Sequence, residues 1–398
     1  MEAARTGARV LSLPSSTEDP VGTPLLRSFP GLRYSPDVAG PLWRLLAPPH
    51  TELDKARRAA FLASSPYVVT HLERPEYSVG PGDPDVVRWL DAGVLVQDPA
   101  SLYVLRQHVA GRARHYLLGA LDVSPGDTRV RPHEGVFDQA VTARLERLER
   151  TGVDSEPVLV VDSTPWPLPW TRPEGLGELV TRALDEQGAP LVEVWRLRDP
   201  EVVRTLVLAS ASHRFLIADG HHRYAAVHRA AVERGRPAEL LVAVVDETVE
   251  PVDLSALHRV LPVPAAAAVL DQAERRRSVP SERAAVEEVL RGLGAEQALV
   301  LLPDRAAVVE GPEPSGPTVG SGAWVDALLR SGGVAAEAVK YQADTARVWD
   351  ALSDRAAILL PRPTLGRLQT IVQSGRMLGR KTTSFRPKPL AGAVLRLR

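Results

Sequence analysis

Two periods of apolar and polar residues alternate along this chain, and the switches between them predict its elements. Short apolar runs rich in β-branched residues, "EPVLVVD" (156–162), "PLVEVWRL" (190–197), "HRFLIAD" (213–219) and "AELLVAVVDE" (238–247), read as strands. "SPYVVTHL" (65–72) reads as a further short strand, and "SLYVLRQHVAGRARHYLLGALDV" (101–123) as a hairpin turning at Ala110–Gly111. Helical spacing marks "TELDKARRAAFLAS" (51–64), "DPDVVRWLDAGVLV" (83–96, ended by Gly93), "GLGELVTRALDEQG" (175–188) and "DPEVVRTLVLAS" (199–210). It also marks "FDQAVTARLERLERTG" (137–152), with Val141, Leu145 and Leu148 on one face, and "GHHRYAAVHRAAVERG" (220–235). Beyond "HRVLP" (258–262) the pattern turns to Ala-rich helices, a strand pair in "ALVLLPDRAAVVEG" (298–311), a Pro/Gly/Ser loop and an extended end. The alternation predicts an α/β or α+β core with a mixed sheet. The expected division is a mobile tail over 1–27, a core over 28–262 and a C-terminal α/β portion over 263–398 that folds back on the same cleft.

Composition changes this picture little. The chain has 398 residues, 44% hydrophobic and 24% charged, with a formal net charge of −1. That balance gives no footprint for nucleic-acid phosphates or an acidic membrane surface. No apolar run approaches the ~18 residues that a membrane span needs. There are no cysteines, which removes disulfides, thiolate metal sites and cysteine nucleophiles together. A cytoplasmic location is the expectation. Lysine occurs only at Lys55, Lys340, Lys381 and Lys388, so two of the four lie close together near the C-terminus.

The candidate chemistry is concentrated in "RFLIADGHHRYAAVHRA" (214–230), where an apolar strand meets a helix. The first turn of a helix offers unpaired N–H groups and the positive end of the macrodipole. Gly220 lets backbone approach a ligand, Arg223 can fork onto phosphate oxygens, and His221 and His222 add donors. Asp219 can hold Mg²⁺ or take a hydroxyl proton; the plainer alternative is that it only caps the helix. A zinc site built from His221, His222 and His228 is disfavoured because adjacent helical residues point ~100° apart. Lys381, Thr382 and Thr383 place a cation and two hydroxyls together, suited to a phosphate or simply to a solvated turn. His133–Glu134 reads as the start of a helical segment, His258 as a satisfied core histidine beside Arg259, and Arg144, Arg147 and Arg150 as a solvated helix face.

Five segments, in order, resemble the domain-of-unknown-function family 1015 over roughly residues 28–395. They are "FPGLRYSP…THL" (29–72), "PHEGVFDQAVTARLERLER" (132–150), "IADGHHRYAAV" (217–227), "LHRVL" (257–261) and "SGRMLGRKTTSFRPKPLAG" (374–392). The DGHHR box in turn resembles the phosphate-binding box of the ParB/sulfiredoxin superfamily, to which free-serine kinases belong. The resemblance implies a nucleotide phosphate pocket lined by Asp219, Gly220, His221, His222 and Arg223. Further pocket residues would be His133, Glu134, His258, Arg259, Lys381, Thr382 and Thr383. It implies ATP or ADP with Mg²⁺ held by Asp219, a small hydroxyl substrate such as free L-serine, and a general base at Asp219, Glu134 or Glu52. Sulfiredoxin chemistry is excluded because His221 stands at the position of its cysteine. The family's "APPYD" is "APPHT" here, with His50 and Thr51 at its end, unless Glu52 or Asp54 substitutes for the missing acid. Val136 replaces a threonine, and the C-terminal motif lacks its proline. The alternative to a kinase is a nucleotide-binding regulator without turnover, and a third possibility is a fold that keeps the box as a signature only.

Overall fold

A computed structural model of the chain describes residues 22–47, 55–73, 85–313 and 318–398. The chain forms two compact units. The first takes the described residues up to Arg131, then 136–252 and 387–398; the second takes 132–135 and 253–386. The division differs from a single cut at 262. Strand Asp253–Ala256 pairs with Thr383–Arg386, and His258–Leu261 pairs with Ala356–Leu359, so both join the second unit.

The first unit is built on a nine-stranded mixed sheet. Its order runs Val130–Pro132, Phe215–Asp219, Val158–Asp162, Ala238–Asp246, Arg112–Val123, Leu102–Val109, Pro190–Leu197, Glu178–Leu184. The ninth strand, Leu26–Arg27, pairs with Arg112–Val123. Ala238–Asp246 lies parallel to Val158–Asp162 and antiparallel to Arg112–Val123, so the sheet mixes both senses. Helix His221–Arg234 joins Phe215–Asp219 to Ala238–Asp246 and packs on the sheet beside helix Asp138–Thr151. Its Ala225, Ala226, Ala230 and Ala231 are buried, and small side chains there let the helix sit close to Val158, Val242 and Val244. Gly235, at φ 62°, ends it in the left-handed conformation that a β-carbon disfavours.

The second unit holds a six-stranded sheet in the order Arg275–Val279, Ala306–Glu310, Gln297–Leu301, Ala356–Leu359, His258–Leu261, Lys340–Gln342. Helices Val263–Gln272 and Ser321–Ser331 pack through Ala266, Val269, Trp324 and Val325 against Ala298, Val300 and Ile358. The exposed run Arg275–Arg277 lies on the edge strand Arg275–Val279, where charge guards an open edge against pairing with another chain.

Several expectations are corrected. "GLGELVTRALDEQG" is not a helix: Glu178–Leu184 is an edge strand hairpinned to Pro190–Leu197. Asp185 accepts the N–H groups of Gln187 and Ala189 in the turn, and Arg182–Glu193 and Arg196–Glu178 ion pairs tie the two strands together. "SPYVVTHL" is not a strand; it leads into helix Val69–Glu73, because Val68, Val69 and Leu72 are buried together and Leu45 accepts the Val69 N–H. His133–Glu134 is extended, bridged in parallel to Leu378, and the helix starts only at Asp138. Order also begins before residue 28, since Leu25 and Leu26 are fully buried and the Leu26 N–H donates to Ser210.

Candidate functional site

In the first unit, strand Phe215–Asp219 carries a register shift between Ile217 and Asp219, which re-aims Asp219 at the strand end. Gly220 follows at φ 89°, ψ 22° and is the N-cap of helix His221–Arg234, which no side chain caps. Asp219 is therefore not the capping residue. A β-carbon on Gly220 would stand 2.9 Å from Val158 Cγ2 and 3.3 Å from Arg223 Cζ, so backbone angle and space both require glycine.

Arg223 does not project toward a ligand. It is 5% exposed, and its guanidinium donates to the carbonyls of Glu156 and Pro157, the latter at 2.7 Å. It lies 3.0 Å from Glu156 Oε1 and 3.5 Å from Asp219 Oδ2. This corrects the expected phosphate fork: Arg223 holds two carboxylates in place from inside the unit.

The cation that faces Asp219 is Lys388, whose Nζ lies 2.5 Å from Asp219 Oδ1. Its segment is pinned by the sheet. The Gln107 amide accepts the Leu390 N–H and donates to the Lys388 carbonyl, and the Tyr116 hydroxyl donates to the Pro387 carbonyl. Burial pushes the Asp219 carboxyl up, but Lys388, Arg223 and His221 around it outweigh burial and hold it below the usual carboxylate range. The residue is an ionised anchor and a poor proton acceptor. Lys388, Glu156 and Gln107 escaped the sequence reading. Only Lys388 had a signal, as one of the rare lysines, set between two prolines in "RPKPL".

Two of the helix's histidines pack against aromatic rings. His222 Nε2 accepts the Phe137 N–H at 3.1 Å, which assigns the proton to its other nitrogen, and its ring lies parallel to Phe137. His228 stacks on Tyr224, and burial lowers its pKa. Among the described residues no three His, Asp or Glu side chains gather as a metal-ligand group. Asp219 has cations on both oxygens, so the donor set does not fit the expected Mg²⁺ site. Glu52, with His50, Thr51 and Asp54, lies outside the described residues.

The remaining candidates belong to the second unit and turn to internal partners. The Glu134 carboxylate accepts the N–H groups of Lys381, Thr382 and Thr383 at 3.1, 3.0 and 2.8 Å, and the Thr383 hydroxyl at 2.6 Å. Three successive N–H groups on one carboxylate form a nest for an anion, and Lys381 takes φ 53° within it. His133 Nε2 lies 2.6 Å from the same Thr383 hydroxyl, and Thr382 Oγ1 donates to the Gly379 carbonyl. Glu134 is thus neither a helix-start charge nor placed as a base, and both hydroxyls are occupied. The Lys381 side chain makes no hydrogen bond or ion pair among the described residues. Replacing Glu134 by alanine leaves four donors without their acceptor and is expected to cost about 2–4 kcal/mol in denaturant unfolding. Glu134→Gln keeps one acceptor and is expected to lose less. A loss below about 1 kcal/mol for the alanine would show that the nest contributes little.

Arg259 has no exposed side chain; it pairs with Asp326 at 2.9 Å and donates to the carbonyls of Leu257, Lys381 and Arg380. It clamps the 380–381 turn and is not open to a ligand. His258 is a core histidine whose Nδ1 accepts the Leu360 N–H, and burial followed by the Arg259 charge lowers its pKa to about 4. The unfolded chain takes this proton near pH 6.5 and the folded one near 4, so between those values the unfolded state binds more protons. Stability from this group is complete above about pH 6.5 and falls with pH through that window by about 3 kcal/mol. Unfolding free energies at pH 7 and 4.5 are expected to differ less in His258→Asn than in the parent. An equal difference would refute the assignment.

The first unit's fold and site thus define a mixed α/β protein with a strand–glycine–helix turn, its acid held between a buried arginine and a lysine. The family model described as "Protein of unknown function (DUF1015)" matches residues 26–314, and the chain belongs to that family. Among solved structures, a mutant free serine kinase in complex with AMP is similar at TM-score 0.42 and 14% identity, over 68% of this chain and 87% of that chain. SbnI with C-terminal truncation from Staphylococcus aureus is similar at TM-score 0.40 and 12% identity, over 69% and 85%. A conserved hypothetical protein from Pyrococcus furiosus is similar at TM-score 0.41 and 14% identity, over 70% and 93%. No curated protein matches the chain. Among the described residues no helix is long and apolar enough to cross a membrane.

Proposed function

We propose that the chain binds a nucleotide, ATP or ADP, through its phosphates at the turn between strand Phe215–Asp219 and helix His221–Arg234. The observation that carries this is the Asp219–Lys388 pair at an uncapped, glycine-opened helix start. An ammonium has three N–H donors and Asp219 takes one, which leaves donors for phosphate oxygens beside the positive helix end. The DGHHR box resembles phosphate-binding boxes, and the glycine-opened helix start beside Lys388 supports that reading, whereas Arg223 faces inward as a positioning residue and Asp219 is held between two cations. The finer reading is a small-molecule kinase acting on a hydroxyl such as that of free L-serine, in the cytoplasm. A second reading, a nucleotide-binding regulator without turnover, is favoured by one observation: Asp219 and Glu134 are both occupied by donors, so neither is placed to accept a proton. The kinase reading then rests on Glu52.

The test is thermal melting with ATP, ADP and CTP, each with magnesium, followed by assay of serine phosphorylation. A ligand at 100 times its dissociation constant adds about 2.7 kcal/mol of stability. No response to any nucleotide would overturn both readings. A melting shift without phosphoryl transfer to any hydroxyl compound would leave the regulator.

A further inference from the structure

The far end of helix His221–Arg234 holds a second feature. A cleft of about 360 Å³ in the first unit is lined by Arg27, Arg234, Arg236, Arg396, Arg398 and Glu239, among others. Its volume is in the range of small-molecule sites. The helix has 14 residues, which separates this end from Asp219 by roughly 20 Å.

The arginines come from separate elements. Arg27 is on the strand beside Arg112–Val123, Arg234 is in the last helical turn with Arg236 just beyond it, and Arg396 is in strand Leu395–Leu397 with Arg398 one residue on. Buried acids fix the deeper ones. Asp154, almost fully buried, lies 2.9 Å from Arg396 and 3.2 Å from Arg398, and Asp122 lies 2.7 Å from Arg27. Glu239 also lies 2.6 Å from Arg396 and 3.8 Å from Arg27, so the deeper pair is committed and the open donors belong to Arg234, Arg236 and Arg398. Arg398 and Arg234 each commit one nitrogen, and the exposed Arg236 side chain commits none among the described residues. Each guanidinium carries five donors in a rigid fork that fits the paired oxygens of carboxylate or phosphate.

We infer that this cleft is a second ligand site, distinct from the nucleotide turn, for a compact polyanion whose clustered carboxylate or phosphate groups engage Arg234, Arg236 and Arg398. The inference is independent of the nucleotide reading.

The experiment uses the full chain with pyrophosphate and with citrate as separate probes, against sodium chloride at equal ionic strength. At least one probe is expected to raise the melting temperature, with the effective arm telling phosphate from carboxylate. Arg236→Ala removes an exposed side chain that holds nothing in the fold, and it is expected to weaken that probe's binding at least tenfold. Lys388→Ala is expected to leave it unchanged. Three results would overturn the inference: no response beyond chloride, an unaltered response in Arg236→Ala, or a response lost in Lys388→Ala, which would place the probe at the other turn.

Discussion

An Arg223→Ala variant is expected to lose about 3–5 kcal/mol of stability, because it strands the buried Glu156 carboxylate without its counter-charge. For a unit of this size that is a fall of roughly 6–20 °C in melting temperature. The guanidinium also satisfies the carbonyls of Glu156 and Pro157, and alanine leaves both without a donor. Arg223→Lys restores charge without the fork and is expected to recover only part of the loss. Melting curves of the two variants without any ligand decide the point. Parent-like stability in Arg223→Ala would mean that the side chain is not the inward clamp described here, and would return it to the role of phosphate ligand. If the loss is found, Arg223→Ala is an unsuitable control for nucleotide binding, since it removes the platform along with any contact.

Lys388→Ala is the variant expected to separate binding from folding. Its side chain is 12% exposed and its partner Asp219 keeps Arg223, so the fold retains a counter-charge for the acid. A charge-assisted hydrogen bond to a phosphate is worth about 1.5–3 kcal/mol, so nucleotide affinity is expected to fall about 10- to 100-fold. Titration calorimetry of parent and variant measures this directly. Equal affinities in the two would remove Lys388 from the site and with it the observation on which the proposed function stands. Loss of affinity with an unchanged melting temperature in the absence of nucleotide would support it.

Local patterns carried much of the fold. The hairpin at Ala110–Gly111 was legible because its two turn residues take φ 50° and 75°, which a short Ala-Gly between alternating strands announces. The helix closures at Gly152 and Gly235 were legible for the same reason. Glu178–Leu184 was misread because an edge strand buries little: only Ala183 is buried, and its remaining positions mimic a half-exposed helix. The candidate turn was legible as local structure, and the partners of its side chains were not. "IADGHHRY" announced the strand–glycine–helix turn, but the direction of the Arg223 side chain depends on the carbonyls that meet it.

By itself the sequence determined the class of fold, the strand–glycine–helix turn and the residues clustered there, because periodicity, turn chemistry and helix capping act over a few neighbouring positions. Tertiary structure alone decided which charges meet. Lys388 reaches Asp219 across 169 positions, and Glu134 fills the 381–383 nest across 247 to 249. No local preference encodes such pairings. They follow from how each sheet brings distant segments together and from the cost of leaving a buried charge or an N–H group unpartnered.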